Sequence, residues 1–406
     1  MPDNTILDKI LTQKHAEEIR SFNPISVVND LLREIDERDR TVMIMRFGLS
    51  ENNESATLEE IGQLLDITRE RVRQIIKVVS TNLRKIQLSH EEIQRFTRIA
   101  EQLLQSFGGV LEKNFFITEL FELSEASKKE EALKRRAIAN LNFLLNCVIN
   151  EAIEHRLETN IRRSIYAIPG VNDAWLISVI YEFTSIIQSA GEPISEADLI
   201  KKFKEKKIYA EQRRILIDEP VRVGREFFRT GIGADMAASR DEEQRVLRAY
   251  ISASRALEQN AFEEWGIASW ASVHPKRMND KIYLVLKHSG KPLHFSEITQ
   301  IVNNAKFDHK IAKSPSVHNE LILDKRFVLV GRGIYALKEW GFQRGTVAEV
   351  IADILQDGVL MSKEQIIEAV MEKRFVKKQT INLALMNRSQ FTKNNDGQYS
   401  TANPKS

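Results

Sequence analysis

Two stretches with the spacing of an amphipathic helix lie back to back between residues 57 and 83. In the first, Ile61, Leu64 and Leu65 fall on one helical face. In the second, Val72, Ile75, Ile76, Val79 and Leu83 recur at three- and four-residue steps and predict a buried stripe. Thr57 and Glu60 stand at the Thr-x-x-Glu spacing of a capping box, so the first helix should begin at Leu58. Gly62 leaves room for a close neighbour, Asp66-Ile67 is long enough only for a sharp turn, and Thr68 is suited to cap the second helix. The positions left outside the second stripe are Arg69, Glu70, Arg71, Arg73, Gln74 and Lys77, crowded into the first turns. Two short helices, a tight turn and a second helix with base-reading side chains at its start predict a helix-turn-helix. Arg suits guanine, Gln adenine and Glu the cytosine amino group, while further Arg and Lys suit phosphates. An Arg/Glu-rich helix face alone is most often solvated surface; the capped leading helix and the two-residue turn argue for more.

On these residues the segment from 31 to 85 resembles region four of the bacterial sigma factors of the primary type. The likeness starts in Leu32-Arg33-Glu34-Ile35 and runs through Val42-Met43-Ile44-Met45-Arg46-Phe47-Gly48-Leu49, Thr57 to Gly62 and Ile67 to Ile75. It closes on Leu83-Arg84-Lys85. The resemblance implies binding to the promoter element about thirty-five base pairs upstream of the start, and docking on the flap of the RNA polymerase beta subunit. It implies base contacts from Arg69, Glu70 and Gln74, phosphate contacts from Arg71, Arg73 and Lys77, and Thr68 at the helix start. Met45, Arg46 and Phe47 are the candidate polymerase contact. Ile76 departs from the family, which usually has Glu there. The aromatic-rich unit that melts promoters in sigma factors precedes region four; only 22 residues precede Asn23-Pro24, so the chain is expected not to open promoters alone.

Farther along, the pattern repeats. Lys281 to Lys287, Phe295 to Val302 and a segment starting Ser316-Val317-His318-Asn319-Glu320-Leu321 predict three helices, followed by a hairpin of Phe327 to Val330 and Ile334 to Leu337 around Gly331-Arg332-Gly333. Glycine on both sides of Arg332 suits positive φ. Val347 to Leu355, Ser362 to Met371 and Lys378 to Leu385 repeat the helices; Phe391 to Lys393, the turn Asn394 to Gly397, and Gln398 to Ser400 repeat the hairpin. Three helices and a terminal hairpin make a winged helix. Gly191 to Ala197 echoes Gly290 to Ser296, and Ile165 to Ile168 echoes Ile334 to Leu337, hinting at two further copies. The reading divides the chain into a helix-turn-helix domain at 23–90, a possible degenerate winged helix at 100–170, another with a connecting helix at 175–260, a winged helix at 278–342 and its repeat at 345–402. Through Phe262-Glu263-Glu264-Trp265-Gly266, His274-Pro275, Lys291 to Phe295 and Gly333 to Leu337, the unit at 278–342 resembles the HARE-HTH module, also found at the start of the delta subunit of bacterial RNA polymerase. That likeness implies DNA or polymerase contact and no enzymatic chemistry. Lys310, Lys313, Lys325, Arg326 and Arg332 are its candidate phosphate contacts.

Composition narrows the picture. With 406 residues, 42% of them hydrophobic, the chain is long enough for about three domains. Charged residues make up 29% but nearly cancel, leaving +2, so any DNA affinity is local. The single cysteine, Cys147, rules out an internal disulfide and sits in the apolar run Leu141 to Val148, where packing outweighs reactivity. The N-terminus is polar and no apolar run reaches spanning length, so a cytoplasmic protein without membrane contact is expected. The eight histidines, His288, His294, His309 and His318 among them, form no ligand pattern. No phosphate loop, nucleophile elbow or protease motif occurs. Asp241-Glu242-Glu243 reads as a helix start favoured by the helix dipole.

The sequence therefore predicts a mainly α protein, a region-four-like helix-turn-helix followed by tandem winged helices with small β-hairpin wings. No cofactor, metal, small-molecule substrate or catalysis is expected. Its partners would be double-stranded promoter DNA and the RNA polymerase core at the beta flap. The alternative is a polymerase-associated protein that docks by mimicking region four.

Overall fold

A computed structural model describes residues 22–402, apart from 53, 88–89, 125–130, 150, 229–240, 343–344, 357–358, 375, 388 and 395. The chain divides into two compact units, Met1–Glu258 and Gln259–Ser406. Both are mainly helical, with short antiparallel strands.

The first unit begins with four helices, α1 (Pro24–Arg33), α2 (Glu37–Phe47), α3 (Leu58–Leu65) and α4 (Arg69–Gln87). Asn23 caps α1 by accepting from the Ile25 and Ser26 amides, and Gly48 ends α2 in the left-handed conformation, with φ 62°. Then come α5 (Glu91–Ser106), β1 (Val110–Glu112), α6 (Lys113–Leu123), α7 (Glu131–Phe143), β2 (Glu154–Arg156) and β3 (Ile165–Ala167). A π-helical turn over Leu144–Val148 prolongs α7. β3 lies between β1 and β2, with Leu111 opposite Tyr166 and His155 opposite Tyr166. One hydrophobic cluster runs from Phe22 through all four leading helices into α5, α6, α7 and Tyr166. Phe22 stacks on Phe96 of α5 with ring centroids 4.9 Å apart. The helix-turn-helix is thus built onto the block behind it.

Cys147 lies in this cluster; burial pushes its thiol up to about 11, despite a hydrogen bond with Ser80 of α4. The unit continues through α8 (Asp173–Ala190), α9 (Glu196–Lys204), α10 (Lys207–Arg213), α11 (Glu219–Phe228) and α12 (Glu242–Ala253). The acidic start of α12 has a tertiary role besides its place at the helix dipole. Glu243 accepts from Tyr209 Oη at 3.1 Å and from Arg213 at 3.2 Å, and it also pairs with Lys204.

The second unit holds the repeated layout. α13 (Met278–Ser289), β4 (Leu293–His294), α14 (Phe295–Asn304), α15 (Ser314–Leu323), β5 (Phe327–Gly331) and β6 (Ile334–Leu337) follow in order, and β6 lies between β4 and β5. This is the strand order of the 91–167 block, and Leu293 faces Tyr335 as Leu111 faces Tyr166. The second copy has α16 (Val347–Ile354), α17 (Lys363–Lys373), α18 (Lys378–Leu385), β7 (Phe391–Lys393) and β8 (Tyr399–Thr401). Met361 bridges to Tyr399 in the same relative place. A tyrosine on the last strand recurs in all three blocks and packs with the local core in each, Tyr399 only half-buried. Each copy in the second unit has its own core: Ile282, Val285, Ile298, Val317 and Tyr335 among others in the first, Val350, Ile366, Val370, Ile381 and Phe391 in the second.

In the β5–β6 turn, only Gly333 takes positive φ, 68°. Gly331 belongs to the strand, beside a register irregularity. A Cβ on Gly333 would also stand 2.6 Å from His294 Nε2, so this position needs glycine for conformation and for space. His294 accepts from the Ser296 amide at the start of α14, while His318 lies against Phe295 and Tyr335. In the second hairpin, Asn395 of the expected turn lies outside the described residues, and the flanking Asn394 amide donates to Gln398 O at 2.9 Å.

Candidate nucleic-acid interface

The site is set by the joint between α3 and α4. Both halves of the capping box form: the Thr57 amide donates to Glu60 Oε2 at 2.7 Å, and the Glu60 amide to Thr57 Oγ1 at 3.2 Å. The Thr57 amide, and the Thr57 hydroxyl donating to the same Oε2 at 2.9 Å, hold the Glu60 carboxyl below its usual range. At the other end of α3, Asp66 is left-handed with φ 50°, and the Ile67 amide donates to Gly62 O at 2.9 Å. The turn folds back so tightly that a Cβ on Gly62 would stand 2.7 Å from Ile67 O. The close neighbour that demands glycine is therefore the backbone of the turn itself. Ile61 is buried and Leu65 half-buried, but Leu64 is 69% exposed. Placing Leu64 on the buried face is thus corrected: α3 is only two turns long, and the core meets it along the Ile61–Leu65 edge.

α4 starts where the sequence places it. The Arg71 amide donates to Thr68 Oγ1 at 3.1 Å, satisfying one of the helix's free donors. Val72, Ile75, Val79 and Leu83 are buried against the core and Ile76 is half-buried beside them. At position 76, an apolar group serves packing. The opposite face is open: Thr68, Arg69, Glu70, Arg71, Arg73, Gln74 and Lys77 are all exposed. The structure thus brings all seven predicted side chains onto the first two and a half turns of one helix.

Some of these side chains hold one another. Arg73 grips Glu70 with two hydrogen bonds, Nε to Oε2 at 2.8 Å and Nη2 to Oε1 at 2.6 Å, and Arg71 Nη1 reaches Gln74 Oε1 at 3.5 Å. The Arg73 guanidinium keeps the Glu70 carboxyl below its usual range. Both partners of that pair are in water, so opening it to meet a phosphate or a base edge costs little. Spacing alone does not reveal these pairs, although Glu-x-x-Arg is a helical i,i+3 neighbour pattern.

Met45, Arg46 and Phe47 are placed elsewhere. All three are half-buried at the end of α2. Arg46 Nη1 donates to Ala56 O at 3.0 Å, and the Ala56 amide donates back to Met45 O at 2.8 Å, tying the 50–56 loop to the helix. Phe47 meets Phe143 of α7 edge to face, centroids 5.2 Å apart.

The basic candidates in the second unit also separate. Lys310, Lys313, Lys325 and Arg332 are exposed. Arg326 is part-exposed but paired, with Asp324 at 2.7 Å and Asp280 at 3.1 Å, and its guanidinium holds Asp324 down at about 2.

With that geometry in view, the comparisons are specific for one segment. Residues 31–85 match the family model for sigma-70, region 4. The chain is similar to the RNA polymerase sigma factor RpoD of Helicobacter pylori, 45% identical over 60 residues, which is 15% of this chain and 9% of the relative. It is also similar to the RNA polymerase sigma factor RpoS of Coxiella burnetii, 59% identical over 74 residues, 18% of this chain and 21% of the relative. A sigma-70 region 4 domain thus occupies residues 31–85, while the chain spans less than a quarter of the length of these relatives. No solved structure matches the chain. Among the described residues, no helix is long and apolar enough to cross a membrane.

Proposed function

We propose that this protein is a sigma-like, DNA-binding transcription protein that recognises promoter DNA through α3 and α4. The observation that carries the reading is the exposed row from Thr68 to Lys77 on a capped helix behind a glycine-tight turn, within a segment matching sigma-70 region 4. In this reading α4 enters the major groove by its first turns. Arg69, Glu70 and Gln74 read base edges, and Arg71, Arg73 and Lys77 hold phosphates. No step of bond making or breaking is assigned to the chain, which acts by binding.

The RNA polymerase core is the second partner, at the flap of the beta subunit, and this rests on the likeness of residues 31–85 to region 4. Met45, Arg46 and Phe47 serve that contact through the shape they give the end of α2, since they are engaged within the fold. The likeness of 278–342 to the HARE-HTH module supports a place in the same transcription assembly. The work proposed is recognition and recruitment, with promoter opening left to another chain.

Selection from random duplex DNA with the full-length protein tests the reading. A defined motif should be enriched. Arg69→Ala and Gln74→Ala should each weaken binding to it by about 1–3 kcal/mol, the worth of one bidentate pairing with a base edge. No enrichment, or enrichment unchanged by the double substitution, sinks it. Competition with a primary sigma factor for core polymerase tests the second partner; failure to compete removes the polymerase from the proposal.

A further inference from the structure

The last block of the chain separates its charges. From Thr346 to Glu372, covering α16 and α17, stand Glu349, Asp353, Asp357, Glu364, Glu368 and Glu372 against the single Lys363. From residue 373 to residue 395, covering α18 and the first strand of the hairpin, stand Lys373, Arg374, Lys377, Lys378, Arg388 and Lys393 with no Asp or Glu. The chain as a whole carries only +2, so the positive charge is concentrated along the sequence from the end of α17, across the start of α18, to the strand that follows.

The fold puts that run where a nucleic acid can meet it. α17 and α18 form a second helix-turn-helix pair, packed through Ile366, Val370, Ile381 and Leu385. Lys377, Lys378, Gln379 and Thr380 stand exposed at the start of α18, and Lys393 is exposed on β7. Among the described residues none of these three lysines has an acidic partner; Lys393 lies only over the Tyr399 ring, at 5.7 Å. Arg374 is the exception in the run, buried and donating to Leu329 O at 3.0 Å. Glu349, Asp353, Glu364, Glu368 and Glu372 are exposed on the two preceding helices, so a polyanion is repelled from α16 and α17 and meets α18. One turn beyond Gln379, Leu383 is 69% exposed, and a turn farther Met386, at the end of α18, is 74% exposed.

We infer that residues 346–402 hold a second site for double-stranded DNA, in which the start of α18 faces the major groove. Lys377, Lys378 and Lys393 take phosphates. Gln379 and Thr380 face base edges, and Leu383 and Met386 lie toward sugar or thymine methyl groups. The inference does not rest on region four. Two DNA-binding helices on one chain raise the effective concentration of each for the duplex that the other holds.

The test uses the full-length protein and a fluorescent duplex of about 40 base pairs of mixed sequence, titrated from about 50 to about 200 mM KCl. Lys377→Ala, Lys378→Ala and Lys393→Ala together should reduce the slope of log affinity against log salt by about 2–3, and lower affinity at least about ten-fold at the low-salt end. The three matching Lys→Arg changes should leave the slope as it was. The same triple is then made beside Arg69→Ala and Gln74→Ala. If only the lysine changes alter binding, the region-four reading falls and this one stands. If the lysine triple leaves the slope unchanged in both backgrounds, the inference is overturned, and the face with Leu383 and Met386 belongs to a protein partner.

Discussion

Helix α4 of the first unit and helix α15 of the second hold comparable places, each closing a helix-turn-helix pair, yet they use charge in opposite ways. α4 turns Arg69, Arg71, Arg73, Gln74 and Lys77 to solvent. The outer side of α15 is Asn319, Ile322 and Leu323, the last 75% exposed, and the arginine that follows it is drawn inward by Asp324 and Asp280. The same architecture therefore serves either to display charge or to brace itself with it. What decides is whether an acidic side chain stands within reach on the neighbouring element. Around α15 it does. On α4 the one acid, Glu70, pairs on the exposed surface, where the pair opens easily.

The comparison is broken most severely at the turn that presents α4. Gly62→Val would drive a side chain into the Ile67 carbonyl, so the turn must open. A loss of roughly 1–3 kcal/mol in unfolding free energy is expected, as for an overpacked core, together with loss of DNA binding although every DNA-facing side chain is unchanged. Urea unfolding and a DNA-binding titration on the same sample check it; unchanged binding would show that the placing of α4 does not depend on this turn.

Asp324→Asn should behave in the opposite manner, weakening the fold and sparing DNA binding by α4. The Arg326 guanidinium holds the folded-state pKa of Asp324 at about 2, below its ordinary 3.8. The unfolded chain therefore takes up the proton first as pH falls. The stabilisation, about 1 kcal/mol once solvent screening at the part-exposed Arg326 is allowed for, is whole above about pH 4 and lost by about pH 2. Hydrogen exchange of the Phe327–Gly331 amides should be faster in the variant at neutral pH and equal to the parent near pH 2. A constant difference across that range would remove the pair from the account.

The smallest effect belongs to the cap. Thr57→Ala removes the hydroxyl half of the box on α3 and should cost about 1 kcal/mol, with binding weakened only as far as α3 frays. Thr57→Ser, which keeps the oxygen, should restore most of the loss in a thermal melt.

Much of the site is legible in the sequence. The Thr57–Glu60 spacing, the Val72–Leu83 stripe and the crowding of Arg69 to Lys77 are local patterns, and all appear as read. Leu64 misled because a two-turn helix offers too few positions to define which edge the core meets. The basic run at 373–395 was equally visible as a stretch without Asp or Glu, but it stands out only when charge is read block by block. The 91–167 block was harder, because strands of three residues, such as Val110–Glu112, are too short to show alternation.

For α3 and α4 the sequence alone determined the helices, their caps, the buried stripe of α4 and the identity of the side chains left outside it, because these depend on neighbours within four residues. Only the tertiary structure decided what each buried face packs against. It set Phe47 on Phe143 and Ser80 beside Cys147, and closed Tyr166 and Tyr335 over their helices. It also decided which charges are held by acidic neighbours, as Arg326 is, and which have no acidic partner among the described residues, as Lys377 and Lys378. Those outcomes depend on distances between residues remote in the chain, which periodicity does not encode.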